Sequence, residues 1–144
     1  MTALDLIARL EAATEGSREL DGRIEAHLRG DQFIKWDGAG AVIRHGSGTW
    51  NGSIGHIARN DIRSRTTSID IAMTLVPEGS YGRVTPWFSN DPDNRWVKWD
   101  GCVLTPLWEK WTPFEDWFLD VEARAATPAL ALTIAALKAR EAAR

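Results

Sequence analysis

Three histidines, His27, His45 and His56, and one cysteine, Cys102, are the side chains of this chain best suited to metal binding or nucleophilic attack. Their separations match neither the ligand spacing of a zinc finger nor the paired histidines of a zincin helix. A metal site would have to combine His45 and His56 with a distant carboxylate, and isolated surface histidines are the commoner outcome. A lone thiol needs a base beside it to become a nucleophile, and no neighbour in sequence supplies one, so Cys102 reads as a small apolar residue. Asp91 with Asp93, and Glu115 with Asp116, could share acid–base work, but they fall in a turn and at a strand entrance and read as solvated acids. The run Gly46-Ser47-Gly48-Thr49-Trp50-Asn51-Gly52 has the glycines of a phosphate cradle without the Lys-Ser/Thr ending and following helix of a P-loop, so hairpin turns account for it better. No catalytic residue, metal ligand or cofactor is therefore assigned.

The clearest excess is tryptophan, with eight residues at positions 36, 50, 87, 96, 99, 108, 111 and 117. Arg59, Arg63 and Arg65 follow the glycine-rich stretch that carries Trp36 and Trp50. Arginine forks bind phosphate bidentately and indole faces stack on bases, a combination suited to a nucleotide pocket. On that reading Trp36, His45, Trp50, His56, Arg59, Arg63, Arg65 and Trp99 form the candidate ligand-binding set. The competing account has the tryptophans cross-pairing on a sheet while arginines cover their edges. It carries more weight here, because one pocket cannot use eight indoles. Trp108, Trp111 and Phe114, around Pro106 and Pro113, lack a clean period and are the candidates for a protein interface.

The elements that would position these residues can be read from caps and periods. Thr2 with Asp5 opens a capping box, and Leu4, Ile7 and Leu10 share a face, predicting a helix to about residue 13. Ser17 caps a second helix with Leu20, Ile24 and Leu28 on one side and Gly30 at its end. Residues 31–60 predict two or three short strands, with turns at Asp37-Gly38 and Asn51-Gly52. Thr67 with Asp70 predicts a short helix with the stripe Ile69, Met73 and Val76, stopped by Pro77. A hairpin around residues 90–94 and a strand through Trp117, Leu119 and Val121 follow. Thr127 and Pro128 open a last helix with Leu130, Ile134, Leu137 and Glu141 along one side. Ile34-Lys35-Trp36-Asp37-Gly38 and Val97-Lys98-Trp99-Asp100-Gly101 echo each other, which two similar turns explain without a true repeat.

This order predicts an α+β fold, a mostly antiparallel sheet with helices packed on it in a layered α-β-α sandwich, formed as one domain over residues 1–144 around one core. A formal charge of −3 and a pI near 5.6 argue against general nucleic-acid binding, though not against a local basic patch. A single cysteine permits no internal disulfide and suits a reducing cytosol. With neither a signal-peptide pattern nor an apolar run long enough for a bilayer, no membrane role is expected.

Three segments carry a resemblance. They are Leu6-Ile7-Ala8-Arg9-Leu10-Glu11-Ala12-Ala13 with Ser17-Arg18-Glu19-Leu20-Asp21, then residues 67–79 closing in Leu75-Val76-Pro77-Glu78-Gly79, then Ala125-Ala126-Thr127-Pro128-Ala129-Leu130-Ala131-Leu132. Together they resemble the small phage and prophage proteins of the phage ABA sandwich domain family, over about half the chain. The resemblance implies a layered helix–sheet–helix fold from a phage or prophage, acting in the host bacterial cytoplasm, and brings no catalytic residues with it. The expected function is a non-enzymatic binding protein for counter-defence, either sequestering a small nucleotide-type ligand or blocking a host protein. An unrecognised hydrolase or nuclease built from His45, His56, Cys102 and loop acids is the alternative, with a virion or assembly component as a third reading. A homo-oligomer is compatible with each.

Overall fold

The computed structural model describes residues 2–87, 98–106 and 118–142. Thr2 accepts from the Asp5 amide while the Asp5 carboxylate accepts from the Thr2 amide, closing the capping box that starts α1 (Ala3–Ala12). Ser17 caps α2 (Arg18–Arg29), and Gly30 ends it in the left-handed region at φ 77°. Three short strands follow: β1 (Gln32–Trp36), β2 (Gly40–Arg44) and β3 (Ile54–Ala58). Gly38 and Gly52 take positive φ at the two connecting turns, as the Asp-Gly and Asn-Gly dipeptides predict. A 3-10 turn (Arg59–Asp61) leads through residues 62–67 to α3 (Ile69–Met73). The chain continues as β4 (Tyr81–Trp87), β5 (Lys98–Pro106), β6 (Phe118–Ala125) and α4 (Pro128–Ala142).

The fold is α+β, with every described strand pair antiparallel. The strands divide between two sheets, β1-β2-β3 and β4-β5-β6. Helix α2 backs the first, α4 backs the second, and α1 lies against both helices. The buried apolar side chains correspondingly form two clusters where the sequence suggests one. The larger gathers Leu6, Leu10 and Ile24 with Val103, Leu130 and Ile134; the smaller gathers Ala26, Phe33, Ala41, Ile43, Ile57 and Ile62.

Two helices differ from expectation. Ser68, not Thr67, caps α3, and the helix turns Ala72 inward while Ile69 and Met73 of the expected stripe are largely exposed. A helix this short is oriented by its contact with α4 rather than by its own pattern. Helix α4 is buried on nearly every side from Ala129 to Leu137, so it has no polar face for a stripe to oppose. It sits so close to β5 that a Cβ on Gly101 would lie 2.2 Å from the Ala131 carbonyl oxygen.

The two halves are stitched by a polar seam. Asp21 is fully buried, and its Oδ1 accepts from the Thr66 amide at 2.9 Å and the Thr66 hydroxyl at 2.8 Å. Its Oδ2 accepts from Arg18 at 3.1 Å. Arg18 also donates to the carbonyls of Arg59 and Ile62, and the Thr133 hydroxyl of α4 donates to the Arg65 carbonyl.

Replacing Asp21 by Ala strands the Thr66 amide in the interior and leaves Arg18 without its carboxylate, while the Thr66 hydroxyl keeps the Ser17 carbonyl; a buried orphan costs about 1–3 kcal/mol. Urea unfolding should therefore show Asp21→Ala destabilised by roughly 3 kcal/mol, with Asp21→Asn, which keeps one acceptor oxygen, losing less. Gly101→Ala forces α4 off the sheet and should cost about 3 kcal/mol, read as a lowered thermal midpoint.

Candidate functional site

The first sheet offers one face to α2 and the other to solvent. Strand alternation turns Ala41, Ile43 and Ile57 toward the helix. Strict alternation from the buried Phe33 would leave Trp36 on the solvent side. A bulge between Phe33 and Lys35 resets the register, so that Trp36 pairs with Ala41 and Lys35 with Val42. Trp36 thereby returns to the helix side, where the absence of a side chain at Gly22 makes room for its ring.

Across the solvent face run two rows of paired residues. Lys35, Val42 and His56 form one; Gln32, Arg44 and Ile54 form the other. Lys35, Arg44, Ile54 and His56 are all exposed. The 45–53 loop adjoins the Arg44 end, and there Trp50 keeps 70% of its surface accessible. Arg44 reaches back to the Gly52 carbonyl at 3.3 Å. The ammonium of Lys35 has no hydrogen bond or ion pair among the described residues.

His56 and Asp37 form a dyad at the other end. His56 Nε2 lies 3.0 Å from Asp37 Oδ2, and Asp37 Oδ1 accepts from the Ala39 and Gly40 amides, both at 2.9 Å. The imidazole lies against Gly40, where a Cβ would come within 2.8 Å of the ring. The hydrogen bond from His56, aided by the two turn amides, holds the Asp37 carboxyl below its ordinary range. Among the described residues no hydroxyl or thiol hydrogen-bonds His56.

The candidate ligand set is brought together only in part. Trp50 and His56 belong to the exposed side of the first sheet and its loop. Arg59, at the end of β3, and Arg63 are exposed, and their guanidinium groups have no partner among the described residues. His45 lies on the opposite face from His56, its ring over Gly55 and its Nδ1 3.7 Å from Asp31. Trp99 belongs to the second sheet, pairing with Pro86 and Ala125 and packing against the larger cluster. Arg65 is buried, donating to Glu25 at 2.6 Å. Its Nε is buried without a hydrogen-bond partner among the described residues. Cys102 is buried in β5, apart from either histidine's sheet. No group of three His, Cys, Asp or Glu side chains is placed to hold a metal among the described residues. Trp108, Trp111 and Phe114, like Asp91, Asp93, Glu115 and Asp116, lie outside them.

Sequence reading missed Lys35 and Arg44. The signal was present in the β2 alternation of Val42 and Arg44 against Ala41 and Ile43, but the bulge hides the matching face of β1. Neither a family model nor a curated protein nor a solved structure matches this chain. No helix among the described residues is long and apolar enough to cross a membrane.

Burial opposes ionisation of Glu25, yet hydrogen bonds from the Arg65 and Arg29 guanidinium groups outweigh it and hold its carboxyl below the ordinary glutamate range. A carboxylate with a depressed folded-state pKa stabilises the protein above its unfolded pKa, and that contribution disappears as pH falls through the folded value. Glu25→Gln should accordingly lower urea stability at pH 7 by about 1 kcal/mol after solvent screening. The gap between wild type and variant should close as the pH falls below the ordinary glutamate range and through the lowered folded-state value.

Proposed function

We propose that this chain is a non-enzymatic binding protein that takes a nucleotide-type, phosphate-bearing ligand on the solvent face of its first sheet. The observation that carries the reading is the grouping on one exposed face of Lys35, Arg44 and His56, with an accessible indole, Trp50, on the adjoining loop. Cations meet phosphate, and the indole offers a stacking surface to a base. The nearby Asp37 does little to repel an anion, because its carboxylate is engaged by His56 and two backbone amides. Arg59 and Arg63 are exposed cations available to the same ligand.

The resemblance to the phage ABA sandwich domain family sets this activity in a phage- or prophage-encoded protein. It would act in the bacterial host cytoplasm and blunt a defence pathway by sequestering a nucleotide-type signal. Such a role needs stoichiometric capture and no turnover.

Acrylamide quenching of tryptophan emission tests the reading directly. Trp50 should supply a quenchable component that Trp50→Phe removes, and millimolar nucleotide should protect that component in the wild type. Arg44→Glu should retain the quenchable indole and lose the protection. Quenching unchanged by any nucleotide or oligonucleotide would overturn the proposal.

A further inference from the structure

Resting on that reading, we infer that the ligand is an unpaired nucleic-acid strand lying along the first sheet, rather than a free mononucleotide. The ground is the shape of the face. A small-molecule site is concave and encloses most of its ligand, because a mononucleotide has too few groups to bind tightly through one side alone. The solvent side of β1-β2-β3 is a three-stranded surface whose central row is Lys35, Val42 and His56, with Arg44 and Ile54 in the next row. Two cavities formed by described residues lie away from this face. One is an open groove of about 500 Å³ along α1, lined by Asp5, Ala8, Arg9 and Ala12. Another is a crevice of about 10 Å³ beside Arg23 and Phe33, room for about one water molecule.

An extended strand resolves the difficulty by spreading weak contacts over several nucleotides. The five-residue strands span roughly 13 Å between their first and last Cα atoms at about 3.3 Å per residue. Over that length the face alternates polar or cationic side chains with apolar ones: Arg44 beside Ile54, Lys35 and His56 flanking Val42. This is the pattern of a surface that neutralises a backbone while giving bases something to rest on, and Trp50, with 70% of its surface accessible, extends it by a stacking platform at the loop end. A duplex would fit worse, since its bases are already stacked and cannot use Trp50 or Ile54. The local cations and the exposed indole thus favour a ligand that is anionic and also has open base faces.

The test is fluorescence anisotropy with labelled single-stranded oligothymidylate and oligoadenylate of 2, 4, 8 and 12 nucleotides, competed by unlabelled mononucleotide and by duplex. Affinity should rise with length to a plateau and exceed that for mononucleotide by at least tenfold. Its logarithm should fall with the logarithm of salt concentration at a slope near −2, as expected for about three neutralised phosphates on a single strand. Lys35→Glu with Arg44→Glu should abolish the length dependence. Trp50→Ala should weaken binding about tenfold while changing the salt slope little. All three positions are exposed, and unchanged thermal midpoints will confirm that the variants fold.

Mononucleotide competing as well as the longest oligomer would overturn the strand inference and leave the phosphate-ligand reading standing. Duplex competing equally would overturn it in favour of plain charge attraction. Failure of every nucleotide and oligomer to bind would remove both.

Discussion

The structure depends on satisfying one buried carboxylate. Asp21 has no solvent access, and a charge in that position is tolerated only when hydrogen bonds replace the water it has lost. Its partners come from α2 itself and from residues 62–67, a connecting segment with no helix or sheet of its own to occupy its backbone groups. Arg18 takes two carbonyls and the Ser64 hydroxyl of this region, and Thr133 takes a third carbonyl from the α4 side. Gly16 lets the chains approach, since any Cβ there would collide with the Thr66 carbonyl. The seam therefore solves two problems together: the desolvated charge and the unpaired backbone of an irregular buried segment. It is also where the cluster around α2 and the first sheet meets the half built on α4.

The two sheets face different demands as a result. Helix α4 is apolar all round, and it rests against Gly101, Gly82, Ala123 and Ala125, where larger residues would hold it away. The helix side of the second sheet is thus shaped by packing. The first sheet carries a lighter load, because α2 covers only one side of it and the smaller cluster is complete there. Its outer residues are free of packing constraints and can be chosen for what they present to solvent. On the first sheet those outer positions carry Lys35, Arg44 and His56, with the exposed Trp50 on the adjoining loop.

Much of this was legible in the residues. Caps at Thr2, Ser17 and Thr127, the left-handed Gly30, and the Asp37-Gly38 and Asn51-Gly52 turns all act over a few positions, so sequence alone locates them. What sequence could not supply was non-local. Whether six strands make one sheet or two depends on which strands find each other. The inward face of the short α3 depends on α4. The bulge that moves Trp36 inward and Lys35 outward is one extra residue in a pattern of period two, which shifts everything after it. His45 and His56 look like neighbours in a glycine-rich stretch, yet an odd separation of eleven residues across a hairpin leaves them on opposite faces.

The same bulge bears on what the exposed face can do. Had Trp36 remained outward, the face would carry a large indole in its middle, and the smaller cluster would lose the side chain that fills the space beside Gly22. Turning it inward spends that tryptophan on stability and leaves Trp50 as the exposed indole beside this face among the described residues, on a loop whose backbone is itself tied down. Gly52 donates to the His45 carbonyl at 2.8 Å and Asn51 to that of Gly48 at 3.1 Å, while the Asp37 turn is fixed by two amides and His56. A surface held by its own backbone bonds loses little freedom when something binds to it, so weak individual contacts can still sum to useful affinity. An exposed, preorganised face of modest charge is suited to an extended ligand, whose affinity accumulates along its length.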